Sequence, residues 1–102
     1  MANTFKNVKA LAVGTSATTV YTVPAATVAV VLGVNFGNLA AAQIAVTLVM
    51  AGATQVQTVP IPANAGFSSL DGKIILMAGD TVVVTSDTAA SVDVLVSYLE
   101  QT

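Results

Sequence analysis

The chain has 102 residues, 55% of them hydrophobic and only 8% charged, with no cysteine, no histidine and a net charge of −2. That length suits one domain with one core, whereas soluble domains ordinarily carry about 25% charged residues. Lack of cysteine and histidine excludes disulfides, thiolate metal sites and the usual nucleophile–base pairs, and three lysines, Lys6, Lys9 and Lys73, form no basic stripe for nucleic acid.

Residues 1–8 form either an extended N-terminal arm or the start of a first strand, Thr4 to Val13, which closes at Gly14-Thr15-Ser16. Lys6 and Lys9 ahead of Ala10-Leu11-Ala12-Val13 resemble the start of a secretory signal, but four apolar residues fall short of the roughly 7–15 that a signal needs. The segment is therefore expected to belong to the mature protein. Thr18 to Val23 is rich in β-branched residues and ends at Pro24, which has no N–H for a ladder.

Thr27 to Phe36 alternates, with Val28, Val30, Leu32, Val34 and Phe36 expected on one face and Ala29, Val31, Gly33 and Asn35 on the other. The longest apolar stretch, Val28 to Val34, stops at Asn35, far short of the roughly 18 residues of a membrane helix. Gly37-Asn38 is expected to turn, and Ala40-Ala41-Ala42 either extends that turn or makes a brief helical one. Gln43 to Met50 alternates again, with Ile44, Val46, Leu48 and Met50 inward. After Ala51-Gly52-Ala53, the segment Thr54 to Ile61 carries Gln55, Gln57 and Pro60, which suits an edge strand open to strand addition.

The loop Pro62 to Gly66 precedes a short strand, Phe67 to Leu70, expected to pair with Lys73 to Met77 across Asp71-Gly72. Ala78-Gly79-Asp80 turns into Thr81 to Thr85, and Ser86 to Ala90 leads to the last strand, Ser91 to Leu99. Short strands with frequent turns imply an all-β, single-domain antiparallel β-sandwich over residues 1–102, Ig-like or jelly-roll in style, with seven to eight strands. Its expected core is Val30, Leu32, Val34, Ile44, Val46, Leu48, Val82, Val84, Val94 and Val96.

Between Ala10 and Leu70 the only titratable side chain is Tyr21. General acid–base, metal and nucleophilic chemistry lack their usual groups there, so the chain is expected not to be an enzyme, with no catalytic, cofactor-binding or metal-ligating set. The acidic residues Asp71, Asp80, Asp87, Asp93 and Glu100 come late. The first three sit in turns, where a short carboxylate bonds nearby backbone; no Asp-x-Asp-x-Asp loop supports a calcium site. Asp93 and Glu100 are expected to solvate one side of the last strand. Gly33-Val34-Asn35-Phe36-Gly37 lacks the lysine of a phosphate-binding loop and suits a bulge and a turn. Phe36 belongs to the core, and Tyr21 and Tyr98 are expected to cap it at a polar rim. With Phe5 and Phe67 they complete five aromatics without tryptophan, a poor supply for a sugar-stacking platform.

Several phrases carry a resemblance: Met1-Ala2-Asn3-Thr4-Phe5-Lys6-Asn7, Val20-Tyr21-Thr22-Val23-Pro24-Ala25, Leu70-Asp71-Gly72-Lys73, Gly79 to Ser86 and Ser91 to Glu100. Together they resemble a group of small virion structural proteins of tailed bacteriophages. The resemblance spans nearly the whole chain and rests on strand-and-turn phrases. It implies a β-sandwich subunit present in many copies on the particle, at the capsid or the tail, and carries over no functional residue.

Scarce charge independently suits a chain covered by copies of itself or by other proteins. The expected function is thus a capsid decoration or cement subunit located on the virion, self-associating and bound to the major capsid protein or to tail proteins, with no nucleic acid or membrane partner. A tail or fibre-attachment component is the alternative. A host-surface or glycan-binding module, using Tyr21, Tyr98 and the Asn64 loop, is the alternative of another class.

Overall fold

The period-two pattern is realised as nine β-strands among the residues described by a computed structural model, 3–68 and 73–102; the side chains of residues 55–57 fall outside that description. In chain order these are β1 (Asn3–Val13), β2 (Thr18–Thr22), β3 (Val28–Asn38), β4 (Ile44–Met50), β5 (Ala53–Ile61), β6 (Gly66–Ser68), β7 (Ile74–Leu76), β8 (Thr81–Ser86) and β9 (Val92–Gln101). They form two antiparallel sheets, β1-β9-β3 followed by β6 and β7 along the same side of β3, and β2-β8-β4-β5. The all-β sandwich is as expected from the sequence, and each of the nine extended segments named there carries a strand, one more than the count of seven to eight. Principal extents of 45 × 20 × 20 Å leave only the long axis for the 11-residue strands, which span about 36 Å at 3.3 Å per residue.

The core lies between the sheets. Ile44, Val46, Leu48 and Met50 from β4, Val82 and Val84 from β8, and Val92, Val94 and Val96 from β9 are all buried. Strict alternation on β4 and β8 supplies this face, because any slip by one residue would expose it.

On β3 the expectation for Val30 and Leu32 is overturned. Val31 stands opposite Tyr98 and Gly33 opposite Ser97, so Leu32 is an extra residue, a β-bulge. The bulge reverses the parity of the strand: Ala29 and Val31 are buried before it, Val34 and Phe36 after it, while Val30 is partly exposed and Leu32 is 38% exposed. A similar bulge in β2 turns both Val20 and Tyr21 inward.

Residues 3–10 pair regularly with β9, from Asn3↔Gln101 to Ala10↔Val94. Gly37-Asn38 is not a turn. β3 runs through both, and the buried Asn38 donates from Nδ2 to the carbonyls of Ala42, Ile61 and Pro62 while its Oδ1 accepts from Ala40 N–H. These bonds hold residues 40–42 in a bend rather than a helical turn. Ala51-Gly52 closes the β4–β5 hairpin with both φ positive, 53° and 74°, the two-residue geometry that matches strand twist.

Among the described residues, Phe67 and Ser68 do not pair with Lys73 to Met77, and residues 69–70 lie outside that description. β6 and β7 instead follow one another along the same side of β3, through Phe36↔Phe67 and Val30↔Ile75; Asp71-Gly72 lies outside the described residues. β5 is an edge strand, as its prolines suggest. Its register breaks twice against β4, and bulges with Pro60 blunt such an edge against strand addition.

Candidate functional site

Four of the five carboxylates lie among the described residues, and each has a structural partner. Asp80 Oδ2 accepts from Met77 N–H at 2.9 Å, the turn role expected of it. Asp87 Oδ1 accepts from Ala45 N–H and Thr88 Oγ1, and the Ala45 bond foremost holds its carboxyl below the usual range. Asp93 Oδ1 accepts from Ala12 N–H at 2.8 Å, tying the β1 bulge to β9. Asp71 lies outside the described residues. Among those described, no three His, Cys, Asp or Glu side chains converge where a metal ion could sit.

Glu100 departs from the expectation that it solvates one side of β9. Parity places it inward with Val94, Val96 and Tyr98, and it is 7% exposed. Lys6 Nζ donates to its Oε1 at 2.8 Å and Tyr21 OH donates to its Oε2 at 2.6 Å. The Lys6 bond first, then the Tyr21 bond, hold the carboxyl below its ordinary value. Burial, followed by the bond to Glu100, pushes the Tyr21 hydroxyl up. Burial likewise raises Tyr98, and the Glu100 bond raises Lys6. A carboxylate kept anionic beside a phenol kept protonated suits a fixed hydrogen bond better than proton transfer. Because Tyr21 belongs to β2 and Glu100 to β9, this bond latches one sheet to the other.

Tyr21 and Tyr98 are buried inside that latch, not displayed at a rim. Their ring centroids are 4.2 Å apart and tilted by 36°, with exposures of 8% and 6%. Neither can present its face to a sugar. Asn64 is exposed, with φ of 56°, at the tip of its loop.

Another feature was missed by the core assignment: the outward face of the β1-β9-β3-β7 sheet. Residues directly opposite across a ladder share a face. Phe5↔Leu99, Leu99↔Val30 and Val30↔Ile75 therefore make one apolar row across four strands. Of seven large apolar side chains exposed among the described residues, Phe5, Leu11, Leu32, Ile75, Met77 and Leu95 lie on or just beyond strands of this sheet, and Leu39 lies in a loop. The other sheet turns Ala45, Thr47, Val49, Val83 and Thr85 outward, all half-buried.

Two rows beyond the apolar one, the outward face sinks into an open hollow of about 390 Å³, with Lys9, Leu11, Asn35, Gly37, Asp93 and Leu95 in its lining. Gly37 supplies no side chain there, and nothing lies within 4 Å of where its Cβ would be. The sequence did carry a signal for this surface. Leu95 and Leu99 interrupt the polar side of β9, and Phe5 and Leu11 share a parity on β1, apart from the inward Val8 and Ala10.

No protein-family model matches the chain, and no curated protein matches it. Among solved structures it is similar to a chain from the work entitled "Bacillus endospore appendages form a novel family of disulfide-linked pili". The similarity covers 99% of this chain and 87% of that one, with a TM-score of 0.55 and 14% sequence identity. Identity that low shows a shared fold: the two-sheet arrangement extends over nearly the whole chain.

Proposed function

We propose that the chain is a non-enzymatic structural subunit, used in many copies and held by contacts between apolar faces. The observation that carries this role is the Phe5–Leu99–Val30–Ile75 row and its surroundings, an apolar outward face on a chain with only eight charged residues. Contiguous exposed apolar surface marks a site to be covered. Burying it contributes roughly 25 cal/mol per Å² of apolar area, less the cost of association. The bulged β5 edge is a poorer contact than this face.

The specific role is a capsid decoration or cement subunit of a virion, bound beside the major capsid protein, as the resemblance to tailed-phage virion proteins implies. A pilus-like appendage subunit is the second reading, favoured by the fold shared with the appendage chain. That chain's title speaks of disulfide-linked pili, whereas this chain has no cysteine. Any filament of it would be held without disulfides. Densitometry of purified particles tests the role directly. A copy number comparable to the major capsid protein is expected; a few copies per particle would move the chain to the tail, and its absence from particles would overturn the virion role.

A further inference from the structure

We propose that the outward face of the β1-β9-β3-β7 sheet is the contact between two copies of this chain, Phe5 of each copy seating in the hollow beside Lys9, Leu11 and Leu95 of the other. This deepens the structural role proposed above and rests on it.

Knob and hollow lie on the same face and share a strand. Phe5 is 74% exposed and stands outward on β1; Lys9, at the hollow, stands outward on the same strand four residues on, about 13 Å away. Consider a two-fold axis lying between two such faces, across the strands, at the level of Asn7, Ser97 and Gly33. It carries residue 5 of one copy over residue 9 of the other, and Leu99 over Leu95. Each copy gives a knob and receives one, as a closed two-fold contact requires. An unrelated partner would need only one of the two features.

The residues at the axis suit self-facing. Asn7↔Ser97 and Gly33↔Ser97 form a row of small or polar side chains without charge. Lys9 meets the partner's Phe5 ring, a favourable cation–π geometry, and the two copies' Lys9 residues are about 13 Å apart along the strands, beyond a Debye length of about 8 Å. Four strands at about 4.8 Å spacing and ten residues at about 3.3 Å give a flat footprint of roughly 600 Å². Side-chain relief brings this near the roughly 800 Å² per partner of a standard interface.

Sedimentation equilibrium on the wild type, Phe5→Asp and Leu11→Asp provides the test. The wild type is expected to dimerise, and each variant to weaken the dimer at least about 30-fold, the scale of losing a hot-spot side chain. Both positions are exposed in the single chain, so far-UV circular dichroism should match the wild type, and melting temperature should fall only by the lost dimer linkage. A second measurement uses Asn7→Cys and Asn3→Cys, prepared singly in this cysteine-free chain, with a bis-maleimide that spans about 10 Å, the spacing of stacked sheets. Residue 7 lies at the axis, so Asn7→Cys should give a covalent dimer; the two copies of residue 3 stand about 26 Å apart along the strands, so Asn3→Cys should not. A monomeric wild type, a dimer that persists in both aspartate variants, or an Asn7→Cys variant that does not cross-link would each overturn this contact; the particle copy number would still decide the structural role separately.

Discussion

The carboxylate of Glu100 takes the Lys6 ammonium on one oxygen and the Tyr21 hydroxyl on the other, from a buried position at the inner face of β9. Removing the hydroxyl should cost what a hydrogen bond to a charged group contributes, so Tyr21→Phe is expected to lose about 1.5–3 kcal/mol in urea unfolding. The folded state lowers the Glu100 and Asp87 carboxyls, so the stability they contribute is complete above their ordinary values of 4.5 and 3.8 and is lost as pH falls through the lower folded values. Tyr21 and Tyr98 are raised, so their contribution is complete below the ordinary value of 10.0 and declines as pH rises beyond it. Thermal melts between pH 2 and 11 should therefore show a plateau flanked by an acid and an alkaline decline. Glu100→Gln should flatten the acid side, and an unchanged acid limb would contradict the latch. The inward parity of Glu100 was legible from its spacing to Val94 and Val96. Its partner was not, because Tyr21 is 79 residues away in sequence and belongs to the opposite sheet.

At the scale of elements, every strand overlaps a stretch legible as extended: β4 and β9 by alternation, because one buried face forces period two, and β2, β3 and β8 by β-branched or apolar runs. The bulges were not visible. β3 reads as an uninterrupted apolar run in which Val30, Val31 and Leu32 are chemically alike, and only the pairing with β9 makes Leu32 the extra residue. The same ambiguity hid the placement of β6 and β7 along β3, since Asp71-Gly72 carries a hairpin signal whatever the neighbouring strands pair with. Truncation tests the parity switch. Val31→Ala should cost about 2 kcal/mol through lost methyl burial and the cavity left behind, and Leu32→Ala, at a half-open position, under about 1 kcal/mol. Denaturant midpoints showing the reverse order would place the bulge elsewhere.

For the molecule as a whole, the two sheets differ in what they show outside. One turns out half-buried Thr, Val and Ala, the other Phe5, Leu11, Leu95 and Ile75. Composition announced this surface through the scarcity of charge, yet could not say where it lay. A face is assembled from strands distant in sequence, here residues 3–13, 28–38, 74–76 and 92–101. Multi-angle light scattering coupled to size-exclusion chromatography shows whether a second copy covers the face. A two-fold pairing predicts twice the 10.2 kDa chain mass, or an even multiple of it, at micromolar concentration; a mass of one chain at every concentration up to the millimolar range would contradict it.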